Sequence, residues 1–283
     1  GVGVYGNSNG FNHGYPISRH SISCSVIAKE KDEMQRDYWY STARHSEDLE
    51  TAVAVGERAA RRALDRLGAR KLQTQQSPVI FKAELAAGLL RSFVSAIRGS
   101  ALYRQATFLL DALDTQVFPD WVRIEENPHL PRGLASAPFD SEGVATRRRD
   151  LITDGILKGY VLGSYSARKL GLQTTGNAGG VRNLSIGMGD MNLQQLMREM
   201  GTGLVVTELM GQGVNTITGD YSRGAAGYWV ENGEIAFPVE EITVAANLRD
   251  MFRNLVAVGN DDDYSSSVRT GSWLIESMMI AGE

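Results

Sequence analysis

The chain has 283 residues, 42% of them hydrophobic and 22% charged, with a formal net charge of −4. That is long enough to bury one large core or two smaller ones, and the composition is ordinary globular usage rather than that of a disordered chain. The mildly acidic balance gives no electrostatic footprint for nucleic acid or an anionic membrane, and no run approaches the roughly 18 apolar residues of a spanning helix.

A single cysteine, Cys24, excludes an internal disulfide and a thiolate zinc cluster, and its scarcity fits a reducing cytoplasm. The chain opens on Gly1 rather than Met and carries no basic-then-apolar leader, so it reads as part of a longer protein with no secretory signal.

Residues 3–5, 20–27 and 37–41 alternate or concentrate apolar and aromatic side chains, which predicts three antiparallel strands with turns at 6–10 and 30–33. A helix is expected next, capped by Ser46, with Glu47 and Asp48 at the positive end of its dipole. Its apolar stripe runs through Leu49, Ala52, Val53, Ala60, Ala63, Leu64 and Leu67, and Gly68 ends it. The basic residues Arg58, Arg61, Arg62, Arg66, Arg70 and Lys71 read as the solvated face of that helix and its tail rather than a nucleic-acid site. The polar, Gln-rich connector 71–78 places a domain boundary, with 1–70 as the end of a middle region and 71–283 as a C-terminal α+β domain.

A strand at 79–81 leads into a second helix burying Ala86, Leu89, Leu90, Phe93 and Ile97, stopped by Gly99. Asp154-Gly155 and Asn232-Gly233 are two-residue hairpin turns, the first between runs 145–152 and 156–164, the second between 227–230 and 234–237. A buried strand is expected at 203–209, and helices at 192–200 and about 245–256. Hairpins mixed with isolated helices predict an α+β fold of antiparallel sheets and packed helices.

The four histidines, His13, His20, His45 and His129, have no metal-ligand spacing and read as surface or hydrogen-bonding residues. Cys24 and His20 lie four apart on one strand, about 13 Å at strand rise, too far for direct activation of the thiol. The acids Asp140 and Glu142, and the cluster Asp220, Tyr221 and Arg223, are conceivable acid–base sites that read more simply as turn chemistry. Glycines around 176–180, 187–189 and 211–213 match no phosphate loop and read as turns, or as places where another backbone approaches.

Longer strings carry more. Pro138-Phe-Asp-Ser-Glu-Gly143, Ser164-Tyr-Ser-Ala-Arg-Lys-Leu-Gly171, Glu199-Met-Gly-Thr-Gly-Leu-Val-Val-Thr-Glu-Leu-Met-Gly-Gln-Gly213, Thr218-Gly-Asp-Tyr-Ser-Arg-Gly-Ala-Ala-Gly227 and Trp229-Val-Glu-Asn-Gly-Glu234 resemble the PmbA/TldE branch of the TldD/PmbA peptidase family. The likeness runs over essentially the whole chain and implies that an N-terminal portion of the family protein precedes Gly1. It further implies a cytoplasmic protein that pairs with a TldD-type subunit, or with itself when alone, to cleave unfolded peptides such as microcin precursors and antitoxins.

TldD-type members carry His-Glu-x-x-x-His on a helix and a later cysteine. Here the matching stretch is Ala83-Glu-Leu-Ala-Ala-Gly88, and Thr270-Gly271 stands where those members have Cys-Gly. Ala83, Gly88 and Thr270 thus replace the family's ligands and only Glu84 survives, so the resemblance implies no metal in this subunit and a zinc-type metal in the partner. Glu84 reads first as an acid at a helix N-terminus and second as a relic of a general base. Gly211, Gly213, Gly219, Asp220, Tyr221 and Arg223 are the candidates for a peptide groove or interface. The alternatives are an autonomous metal-dependent hydrolase working through Glu84 or the Asp140/Glu142 pair, and a gyrase-modulating binding protein.

Overall fold

Two hairpins begin the chain in the computed structural model, which describes residues 1–262 and 265–283. Strand β1 (Val2–Gly6) pairs with β2 (Asn12–Pro16), and β3 (His20–Glu30) pairs along its whole length with β4 (Glu33–Ala43). The expected pairing of the first strand with 20–27 is therefore wrong. The pattern around Gly14 is too weak to announce β2, which is held instead by tertiary contacts. Phe11 and Tyr15 set their rings edge-on to Phe139, 5.2 and 5.3 Å away.

The single helix expected from Ser46 is also divided. A 3-10 turn spans Ser46–Asp48, and α1 (Ala52–Leu64) starts only after Thr51, whose hydroxyl accepts from Ala54 N–H. Glu50 explains the break. Its N–H donates to Ser41 Oγ (3.0 Å) and its carboxylate accepts from Trp39 Nε1 (3.0 Å), which holds the chain extended there. The buried stripe of α1 is Val55, Ala59 and Ala63, packed on the β3–β4 hairpin, while Val53 and Leu64 are exposed.

Helix α2 (Ala83–Ala96) falls where the pattern puts it, but strand β5 (Gln75–Phe81) begins four residues before the expected 79, inside the stretch read as a connector; Gly99, expected as a stop, opens the short helix α3 (Gly99–Leu102) instead. Strands β6 (Ile124–Glu126), β7 (Arg149–Thr153) and β8 (Ile156–Leu157), helix α4 (Ser164–Leu170) and strand β9 (Leu184–Ile186) follow. Next come α5 (Leu193–Met200), β10 (Gly203–Met210), β11 (Asp220–Glu231) and β12 (Glu234–Asn247). The helix expected over 245–256 shrinks to α6 (Leu248–Arg253), its flanks absorbed by β12 and β13 (Leu255–Val258); β14 (Val268–Arg269) and β15 (Trp273–Ala281) close the chain. Both two-residue turns have the required left-handed backbone, at φ 50° and 72° for Asp154-Gly155 and 51° and 80° for Asn232-Gly233.

Six strands form one sheet in the order β12-β11-β10-β5-β15-β13, and β12 also pairs with β15, so the sheet curls until two of its strands meet. Only β5 and β10 run parallel in it, and both are covered on two faces, which is why their apolar runs are continuous. One face meets α2 and an aromatic nest in which Phe118 stacks on Phe252 at 4.9 Å and meets Phe93 edge-on at 5.3 Å. On the other, Leu196, Met197 and Met200 of α5 cover Ile80, Val205, Val230 and Leu274. A second sheet, β14-β9-β6-β7-β8, completes a mixed α+β fold. Among the described residues no helix is long and apolar enough to cross a membrane.

Candidate functional site

Strand β4, helix α1, the start of α2 and the loops around residues 132 and 266 enclose a cleft of about 1190 Å³. Its floor is an ion-pair chain. Arg62 donates from Nε to buried Asp37 of β4 (3.1 Å) and from Nη1 to Glu84 of α2 (2.7 Å), and Lys82 Nζ lies 3.6 Å from the same Glu84 oxygen. Arg66, just past the end of α1, reaches Glu208 of β10 at 2.5 Å and Asp37 at 3.7 Å. Tyr228 of β11 sits beside this chain, and burial, then the charge of Asp65, pushes its phenol up to about 12.

Glu84 is the residue that the resemblance singled out on the helix at 83–88. Burial works to raise its carboxyl, but Lys82 and Arg62 together outweigh that, holding it below the ordinary carboxylate value of 4.5. A carboxylate fixed in its charged form by two cations is a poor proton acceptor at neutral pH. Its role in this arrangement is electrostatic, linking α2 to α1. Of the basic residues expected on a solvated face, Arg58, Arg61, Arg70 and Lys71 are exposed, whereas Arg62 and Arg66 are not. Arg62 and Arg66 are largely buried ion-pair partners, Arg58 stacks over Trp39 at 4.6 Å, and Arg70 lies over Phe237 at 4.7 Å. Arg61, exposed in the cleft, has no ion pair among the described residues.

The three positions where the resemblance led us to expect metal ligands in related chains are committed elsewhere. Ala83 offers only a methyl group, and its N–H donates to Ser272 Oγ (3.1 Å), which in turn donates to Asp261 Oδ2 (2.6 Å). Asp261 also accepts from Ser272 N–H at 2.8 Å, so a Ser–Asp pair caps the start of α2. Gly88 has no side chain. Thr270 is buried, and its hydroxyl accepts from Trp273 Nε1 at 2.7 Å. Zinc needs about three protein ligands; one ion-paired glutamate and one hydrogen-bonded hydroxyl do not fit it. Among the described residues no group of three or more His, Cys, Asp or Glu side chains is placed to hold a metal. His13 packs edge-on to Phe11, His45 accepts from Glu47 N–H, and His129 shares a hydrogen bond with Thr146.

Gly211, Gly213, Gly219, Asp220, Tyr221 and Arg223 come together at the connection between β10 and β11, and none of them lines the cleft. Gly213 runs against Ser222, accepting its N–H at 2.7 Å, so that a Cβ on Gly213 would collide with the Ser222 carbonyl. Asp220 accepts from Thr218 Oγ1 and from Asn247, and Arg223 reaches the Leu209 carbonyl. Tyr221 is 3% exposed and edge-on to Phe81, and burial, opposed by Arg223, pushes its phenol up to about 12. The close approach of backbones expected at these glycines is made by the chain to itself. Asp140 and Glu142 stand away from the cleft: Asp140 closes its own turn, and Glu142 lines a separate pocket.

The cleft partners Asp37, Lys82, Asp261 and Ser272 had no signal in the sequence, because each is functional-looking only beside residues distant in the chain. Arg62 and Trp39 were visible, but only as part of a basic helix and an aromatic strand.

Residues 74–282 match the model of the PmbA/TldA metallopeptidase C-terminal domain, and residues 1–67 that of the central domain of the same family. The chain belongs to the PmbA/TldD family. It is 58% identical over all 283 residues to metalloprotease PmbA of Escherichia coli O157:H7, of which it spans 63%. A Bacteroides thetaiotaomicron protein described as a modulator of DNA gyrase superposes with a TM-score of 0.92 at 33% identity, covering 98% of this chain and 63% of that one. TldE from Thermococcus kodakarensis shares the fold, with a TM-score of 0.85 at 22% identity, covering 97% of this chain and 65% of that one. The PmbA/TldD members matched here are thus longer proteins, of which this chain corresponds to the central and C-terminal domains.

Proposed function

We propose that this chain acts as the non-catalytic PmbA/TldE subunit of a TldD/TldE-type peptidase. In that assembly a TldD-type partner contributes the zinc-type metal and the bond cleavage. This subunit completes a shared cavity, excludes folded proteins and helps position an extended peptide, with microcin precursors and antitoxins as the substrate class implied by the family. The observation that carries the reading is the state of the peptidase helix: Ala83 and Gly88 lack ligand atoms, and Glu84 is bound by Arg62 and Lys82. Strand-addition contacts through backbone groups would make the positioning sequence-tolerant.

The test is cleavage of an unfolded peptide by this protein alone and mixed with a TldD-type partner. Turnover only in the mixture, abolished when the partner's motif histidines are replaced, is the expected outcome. Steady, chelator-sensitive turnover by this chain alone overturns it and returns the autonomous-hydrolase reading.

A further inference from the structure

The acidic pair singled out in the sequence, Asp140 and Glu142, divides its work between a scaffold and an open site. Asp140 is 2% exposed; its Oδ1 accepts from the N–H groups of Glu142 (2.9 Å) and Val144 (3.0 Å), and its Oδ2 from Ala178 N–H (2.9 Å). It therefore ties the 140–144 turn to the glycine loop at 176–180. A second buried carboxylate, Glu126, holds the other side of that loop. It accepts from Asn177 Nδ2 (2.7 Å) and Arg182 N–H (2.6 Å) and pairs with Arg149 at 3.0 Å, while Asn177 also donates to the Gly180 carbonyl. The loop is thus fixed from both ends before any ligand arrives, which lowers the ordering cost of binding.

Between this loop, α3 and the start of α4 lies a pocket of about 380 Å³, sharing no lining residue with the large cleft. Two opposite charges face it without meeting. Glu142 uses Oε2 to accept from Ser164 N–H (2.8 Å), but its Oε1, beside Gly163, has no hydrogen-bond partner among the described residues. Arg98 lies with its guanidinium against Gly180, and its side chain makes no hydrogen bond or ion pair among the described residues. Gly180 makes room for the Arg98 guanidinium, since a Cβ there would press on it. At the rim Tyr103 and Tyr165 stand edge-to-face, 5.8 Å apart, and offer an apolar surface.

We propose that this pocket binds a small zwitterion, a free α-amino acid, with its ammonium against Glu142 and its carboxylate against Arg98. Separated opposite charges on a pre-formed surface match a ligand that carries both signs on groups attached to one carbon. A bare anion meets the Glu142 charge, and a bare cation meets Arg98, so each half alone is disfavoured.

Calorimetric titration of the protein with glycine and L-leucine, alongside acetate, methylamine and N-acetylglycine amide, tests this. Saturable binding of the two amino acids is expected, with none of the three controls binding comparably. Arg98→Ala and Glu142→Gln should each weaken glycine binding by at least about tenfold, the loss of one charge-assisted contact. Glu142→Gln keeps an oxygen for Ser164 N–H, so an unchanged thermal midpoint certifies that the fold stands, and Arg98→Lys should restore part of the affinity. The proposal fails if no saturable binding occurs. It fails equally if acetate binds as tightly as glycine, which marks an anion site only, or if neither substitution weakens the amino acids.

Discussion

Arg62 Nη1 lies 2.7 Å from Glu84 Oε1 while its Nε lies 3.1 Å from Asp37 Oδ1, so one guanidinium joins β4, α1 and α2. The link runs between the stretches matched by the central-domain and C-terminal-domain models of the family. The neighbours of Glu84 are two cations, Arg62 and Lys82.

Removing the centre of that link should be costly. Arg62→Met removes the cation shared by Asp37 and Glu84, both mostly buried, and leaves Asp37 to Arg66 and Glu84 to Lys82 at longer range. A loss of about 3 kcal/mol is expected, the low end for breaking a buried pair because each side chain keeps some exposure. Urea unfolding with the slope held common checks it, and an effect under about 0.5 kcal/mol, the size of an ordinary surface change, would refute the buried-link assignment.

Acidification should reach the same link. Glu84 has a folded-state pKa below its unfolded value of 4.5, since Lys82 and Arg62 outweigh the opposing effect of burial. Its contribution is therefore complete above the unfolded pKa and disappears as pH falls through the folded one. Unfolding midpoints measured from neutral pH downward should drop more steeply for the native chain than for Glu84→Gln below about pH 4.5. Parallel curves would contradict the assignment.

Thr270 tests whether its hydroxyl serves as a structural acceptor. Its hydroxyl satisfies Trp273 Nε1 in a fully buried setting. Thr270→Val leaves that indole N–H unpaired and should cost about 1–3 kcal/mol, whereas Thr270→Ser keeps the acceptor and should cost less. The order of the two thermal midpoints decides it.

The glycines of the β10–β11 connection should rank by crowding. Gly211, at φ 76°, has open space around a Cβ, so Gly211→Ala carries only the left-handed backbone cost of about 1–2 kcal/mol. At Gly213 a Cβ collides with the Ser222 backbone, and Gly213→Ala should destabilise more. Tyr221→Phe at the same place should be neutral or mildly stabilising, because the buried hydroxyl has no partner of good hydrogen-bond geometry among the described residues. Equal midpoints for both glycine variants would show that this hairpin end is loosely held.

The sequence by itself determined the elements whose cause is local. The α2 stripe of Ala86, Leu89, Leu90 and Phe93, the Asp154-Gly155 and Asn232-Gly233 turns and the β10 run all lie where period and backbone preference put them. It also fixed Ala83, Gly88 and Thr270 as residues with no imidazole or thiol to offer a metal. Tertiary structure alone decided the rest. Glu50 broke the expected helix through bonds to Ser41 and Trp39, and Phe139 held a strand that propensity did not announce. Likewise Glu84 became an ion-pair partner because Arg62, 22 positions earlier, folds against it. Period and propensity act over a few residues, but a charge is neutralised by whatever the fold brings within about 4 Å, and no local pattern records that distance.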